Sequence, residues 1–135
     1  MQKLSNTTGE PNRPNLLYIH TNPHNPYVIG CYGDSLVQTP NMDRLAQEGV
    51  LFTNVYCTSP ICVPSCMSML SEQHPYQSEI WTNNHILDSS IPTFAHSMRT
   101  AGYEPVLVGR MHSIGPDQLH DYSERLIGAN KVGVS

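Results

Sequence analysis

Short apolar runs separated by proline- and glycine-bearing stretches set the layout of this chain. After a polar lead-in from Met1 to Arg13, Asn15-Leu16-Leu17-Tyr18-Ile19-His20 is almost continuously apolar, the pattern of a buried strand. Thr21 to Gly33 holds Pro23, Pro26, Gly30 and Gly33 and predicts a loop. In α/β proteins a loop directly after a buried strand is where sites are built. A short helix is predicted over Thr39 to Gly49, with Thr39 as its cap, Pro40 in its first turn and Gly49 at its end. Val50 to Tyr56 is rich in β-formers and predicts a second strand. Pro60 to Pro64 reads as a turn, Pro64 starting a helix through Met67, Met69 and Leu70. A third helix fits Pro92 to Ala101, stopped by Gly102, and Pro105 to Val108 gives a third strand before the loop Gly109 to His120.

This order predicts an α/β fold, a mainly parallel sheet flanked by helices. Its three strands should lie side by side, and the loops that follow them should open at one sheet end. Asp121 to Ser135 carries no clear element. So thin a sheet reads as incomplete: a tail over 1–13, then one partial domain over 14–135.

Composition narrows the partners. The 135 residues suit about one domain of ~150, and 39% hydrophobic with 13% charged is globular rather than disordered. With a net charge of −4 and 7 scattered basic residues, no stripe is available to track phosphates, so nucleic acid is not the expected partner. The first fourteen residues hold no apolar leader and no apolar run approaches ~18 residues, which predicts a cytoplasmic chain without a membrane span. Cys31, Cys57, Cys62 and Cys66 are then expected as reduced thiols, although two could pair in an oxidising compartment. The oligomeric state is left open.

Cys62, in Ser59-Pro60-Ile61-Cys62-Val63-Pro64-Ser65-Cys66, stands just before a predicted helix start. Free N–H groups and the helix dipole there favour anions and lower a thiol's pKa from ~8.5. A small cysteine buried in a turn satisfies the same spacing. Cys62 and Cys66 lie one helical turn apart, a far weaker zinc signature than paired CxxC. His112, in Gly109-Arg110-Met111-His112 after the third strand, suits an anion contact or a general acid, and equally a solvent-facing loop histidine. The other histidines, His120 among them, show no tight ligand spacing, and His96 is expected half-buried.

The motifs together resemble the sulfatase family of the alkaline-phosphatase superfamily. Arg13-Pro14-Asn15-Leu16-Leu17-Tyr18-Ile19 is similar to its opening strand, and Cys62-Val63-Pro64-Ser65 to the site where a cysteine is oxidised to formylglycine. Gly30-Cys31-Tyr32-Gly33, Gln38 to Ala46 and Gly49 to Asn54 follow with family spacing. Gly109-Arg110-Met111-His112 and Gly115-Pro116-Asp117-Gln118-Leu119-His120 resemble a choline-sulfatase-like branch. The likeness runs from about Arg13 to Gly128 and covers the opening part of a family member.

The resemblance implies that Cys62 is the formylglycine precursor, whose hydrate attacks sulfur. It also implies that Arg110 and His112 hold the sulfate, with His112 protonating the leaving oxygen, and that Asn83 stands close to the nucleophile. A divalent cation, calcium first and manganese in some relatives, would touch the Cys62-derived diol and Asn22. The substrate would be a small sulfate, phosphonate or phosphate ester. Four departures point to impaired catalysis: Asn22 in place of an acidic ligand, Pro23 beside it, Cys66 in place of arginine, and Ser71-Glu72-Gln73 in place of Thr-Gly-Arg. Ser113 also replaces a large apolar residue. The main expectation is therefore a truncated, impaired hydrolase module. The alternatives are a non-catalytic remnant or anion-binding module and, behind it, a thiol or zinc module using Cys57, Cys62 and Cys66.

Overall fold

The structure, a computed structural model, describes residues 13–21 and 24–127. Asn22 and Pro23 lie outside the described residues, as does the lead-in up to residue 12. The chain divides into two units, Met1–Thr53 and Asn54–Ser135.

The first unit is organised by one carboxylate. Helix α1 spans Pro40–Glu48, and two short 3-10 turns, Pro26–Val28 and Gly30–Tyr32, occupy the predicted loop. Thr39 does not cap α1 with its side chain as expected. Its hydroxyl instead accepts from the Gly30 N–H at 2.8 Å and donates to Asp43 Oδ1 at 3.0 Å. Asp43 Oδ1 also accepts from the Cys31 N–H at 2.7 Å, so the turn is fastened to the helix. Glycine is needed at position 30, since a Cβ there would sit 2.7 Å from Asp43 Oδ2.

In the second unit, helix α2 spans Cys62–Ser71, α3 Pro75–Ser78 and α4 Phe94–Thr100. Strands β1 and β2 are Val106–Leu107 and Glu124–Arg125. The repeat Val63, Cys66, Met67, Leu70 is an i, i+3, i+4, i+7 stripe, and all four side chains are buried. They pack with Ile80, Leu87, Ala95, Leu107, Met111 and Tyr122 in one core. Helix α4 starts on a capping box: the Thr93 N–H donates to His96 Nδ1 at 3.0 Å. The Thr93 hydroxyl then reaches across to the His120 carbonyl at 2.9 Å, which pins the later loop to α4. His96 is half-buried, as expected.

Strands β1 and β2 pair in parallel, Val106 opposite Glu124 and Leu107 opposite Arg125. The fold is thus α/β, with a small parallel sheet flanked by helices. Three expectations need correction. Asn15 to His20 and Val50 to Tyr56 form no strand. Their apolar side chains face solvent, Leu17 at 81% and Tyr56 at 90% exposure. Strand propensity describes a fit to a half-buried pleated surface, and no ladder partner stands beside either run among the described residues. Conversely, Glu124–Arg125 lies where no element was predicted, because a two-residue charged strand has neither alternation nor β-branching. The flanking bonds make it: Ser123 N–H to Pro105 O at 2.9 Å, Leu126 N–H to Leu107 O at 3.0 Å, and Gly109 N–H to Ile127 O at 2.8 Å.

Candidate functional site

Cys62 is the first residue of α2, not the residue before it, and its thiol is exposed. The N-cap residue Ile61 offers no side-chain acceptor. The next amide is satisfied from elsewhere: the Val63 N–H donates to Asn83 Oδ1 at 3.0 Å. Asn83 is presented by a turn folded around His85, whose Nδ1 accepts from the Trp81 N–H at 2.7 Å. An amide oxygen brought 20 residues along the chain therefore closes the helix end that carries Cys62.

Arg110 and His112 follow β1. Gly109, at φ 99°, turns the chain in a region that favours glycine. Its N–H and carbonyl are both held, the carbonyl by Arg125 Nε at 3.1 Å. Met111 is buried and anchors the loop, leaving Arg110 exposed and His112 half-buried. Ser113 is buried where an apolar residue was expected. His112 has φ 55°, unusual for a side-chain-bearing residue and a mark of local strain. Arg110 Nε donates to His112 Nε2 at 2.9 Å. An arginine only donates, so Nε2 is an acceptor and the ring proton sits on Nδ1.

Gly115 lies against Ile86, where a Cβ would stand 2.7 Å from Ile86 Cγ2. The loops carrying Asn83 and Arg110 are thereby pressed together. Burial pushes the Cys66 thiol up, the neighbouring Cys62 adds to this, and the Arg110 guanidinium pulls it back down. Asn83 thus meets the first turn of α2 through the Val63 amide, Arg110 acts on Cys66 through its charge, and His112 is joined to Arg110. Asn22, the proposed metal contact, lies outside the described residues.

His120 was not singled out by the sequence, yet it is 2% exposed and its ring nitrogens have no hydrogen-bond partner. Asp117 Oδ2 lies 3.4 Å from Nδ1, while Asp117 Oδ1 accepts from the His120 N–H at 2.9 Å. Burial holds the imidazole below its ordinary pKa; Asp117 raises it and His96 lowers it further. The Asp-x-x-His spacing was the available signal. Among the described residues, no group of three or more His, Cys, Asp or Glu side chains is arranged to hold a metal ion. No helix among them is long and apolar enough to cross a membrane.

A helix start bearing a cysteine and a loop after a parallel strand bearing an arginine and a histidine belong to one unit of an α/β scaffold. The family profile described as Sulfatase matches residues 14–130, and the chain belongs to the sulfatase family. It is 39% identical to a choline-sulfatase of Rhizobium meliloti over 89% of this chain and 23% of that one. It is 32% identical to an N-acetylglucosamine-6-O-sulfatase of Bacteroides thetaiotaomicron, over 92% of this chain and 22% of that one. A solved structure in complex with its substrate D-glucosamine-2-N,6-O-disulfate superposes with a TM-score of 0.78 at 31% identity, covering 84% of this chain and 23% of that one. The phosphonate monoester hydrolase of Agrobacterium radiobacter shares the fold, with a TM-score of 0.65 at 24% identity over 78% of this chain and 24% of that one. The chain spans about a quarter of the length of the curated relatives it matches.

Proposed function

We propose that this sulfatase-family hydrolase domain is the nucleophile-bearing part of a sulfuric ester hydrolase, and that the 135-residue chain alone is catalytically impaired. The observation that supports it most is the Asn83 bond to the Val63 amide, which closes the helix turn that opens with Cys62, with Arg110 acting electrostatically on Cys66 in the same helix. In this reading Cys62 is the residue that would carry the formylglycine, whose hydrate would supply the oxygen nucleophile toward sulfur. His112 would be the proton donor to the departing ester oxygen, and Arg110 would hold the sulfate. Because His112 Nε2 accepts from Arg110, proton donation by the ring requires Arg110 to turn toward the anion and Nε2 to take up a proton first. The substrate class is a small sulfate ester, as for the choline- and amino-sugar sulfatases it resembles, with phosphonate or phosphate esters as the alternative.

Impairment follows from the residues present. Asn22 offers a carbonyl oxygen without charge, and Pro23 no side-chain oxygen, so this donor set does not fit a divalent cation such as calcium or manganese. Cys66 lies in the core where an arginine would steady the formylglycine hydrate.

The test is hydrolysis of an activated aryl sulfate by three proteins: this chain, the Asn22→Asp/Cys66→Arg variant, and that variant fused to the C-terminal region of a relative. Each is expressed beside a formylglycine-generating enzyme. Activity is expected in the fusion alone, with Cys62 of the unmodified chain remaining a thiol by peptide mass spectrometry. Turnover by the unmodified chain, abolished by Cys62→Ala, refutes impairment. Sulfate binding without turnover in all three favours an anion-binding module.

A further inference from the structure

The side chain at position 66 gives Cys62 a neighbour with chemistry of its own. Both cysteines lie on α2, at its first and fifth positions. Four helical steps of ~1.5 Å separate their Cα atoms by about 6 Å along the axis, within the ~4.4–6.8 Å that a disulfide spans. Cys62 is exposed and Cys66, one helical turn further on, is buried. We propose that Cys62 and Cys66 form a reversible disulfide, with Cys62 as the attacking thiol and Cys66 as the resolving one, and with a low-molecular-weight disulfide such as oxidised glutathione as oxidant.

The step balances. The Cys62 thiolate attacks one sulfur of the small disulfide, forming a mixed disulfide and releasing one small thiol. The Cys66 thiolate then attacks Cys62 Sγ, forming the intramolecular bond and releasing the second. The protein loses two protons and two electrons, and the small disulfide gains them as two thiols. In a regular helix the two Cβ atoms stand farther apart than the ~3.5–4.5 Å a disulfide needs, so the first turn must loosen. Among the bonds that resist this are the Ser65 N–H to the Ile61 carbonyl at 2.9 Å and the Val63 N–H to Asn83 at 3.0 Å, with no side-chain cap from Ile61 to add to them. Burial of Cys66 keeps its thiol protonated and makes the second step the slow one. Oxidation would also withdraw Cys62 from conversion to formylglycine; that consequence rests on the function proposed above, and the pairing itself does not.

The experiment uses the full chain with Cys31→Ser and Cys57→Ser, which leaves Cys62 and Cys66. It is exposed to oxidised glutathione under native conditions, quenched in acid, denatured, alkylated and weighed intact. The expected product is a monomer lighter by two hydrogens, with no alkylatable thiol, reversed by dithiothreitol. Its mixed-disulfide precursor should decay about tenfold faster per pH unit, following the Cys66 thiolate fraction. Adding Cys66→Ser should leave a stable glutathione adduct on Cys62, and Asn83→Ala should speed ring closure. A stable adduct with Cys66 still alkylatable, or disulfide-linked dimers as the main product, overturns the proposal. Should the double serine variant lose its helical signal, peptic mapping of the unmodified chain gives the same readings. No arm measures sulfate hydrolysis, so this proposal and the sulfatase reading fail separately.

Discussion

Restoring arginine at position 66 should destabilise this chain, although that residue type is the one the family resemblance implies there. Cys66 packs in the core with Val63, Met67 and Leu70, and it is 9% exposed. Arginine adds volume to a filled site, and forced repacking costs about 1–3 kcal/mol. Arg110, a cation, acts on this position, so a new guanidinium there meets like charge. Snorkelling toward the surface relieves part of the desolvation and none of the crowding. Taking about 2 kcal/mol and a urea slope of about 2 kcal/mol per molar, the unfolding midpoint should fall by about 1 M. Urea melts followed by circular dichroism check this, with Cys66→Ala as the reference for simple loss of contact. A midpoint for Cys66→Arg equal to or above that of the unmodified chain refutes the buried-core account of this position. A drop relieved by high salt would assign the cost to Arg110.

Further outcomes follow from single contacts. Asn83→Ala should cost about 0.5–2 kcal/mol by exposing the Val63 amide, and Asn83→Asp should recover most of it, since an anionic acceptor suits a helix start; urea midpoints read both. Gly30→Ala drives a methyl into Asp43, and losing bonds to that carboxylate should cost about 1.5–3 kcal/mol, seen as faster amide exchange at Cys31. His120 stays neutral when folded and protonates near 6.5 when unfolded, so its contribution is full above pH 6.5 and falls as the pH drops toward its depressed folded value. Asp117, held below 3.8 chiefly by the His120 N–H, acts only at lower pH, so His120→Phe should flatten the stability curve from 6.5 down to about pH 5.

What could be read from the sequence were the elements that carry their own ends. Pro40 with Gly49 marked α1, Pro64 with Met67 and Leu70 marked α2, and Gly102 closed α4. What could not be read depends on distant partners. Leu16 to Ile19 looks like a strand because its side chains are apolar, but a strand exists only as half of a pair. Glu124–Arg125 looks like nothing and becomes a strand because Leu107 offers it a carbonyl. The site divides the same way. Cys62, Arg110 and His112 stood out by motif, whereas the Asn83 bond to the Val63 amide and the burial of His120 arise from loops packing on one another.

The parallel pair of β1 and β2 sets a limit on the order of the site. Arg110 and His112 lie within the span from 108 to 123 that joins the two strands, so both are tethered at two ends. Closing such a span costs roughly 2.5 kcal/mol of chain entropy plus a constant, offset here by a two-residue ladder and its flanking bonds. Parting that ladder removes one tether of the loop, while Met111 in the core and the Thr93 bond to the His120 carbonyl still hold it. Amide exchange at Leu126 and Gly109 should therefore run at one common rate, the rate at which the end of the loop that carries Arg110 and His112 is released from the sheet.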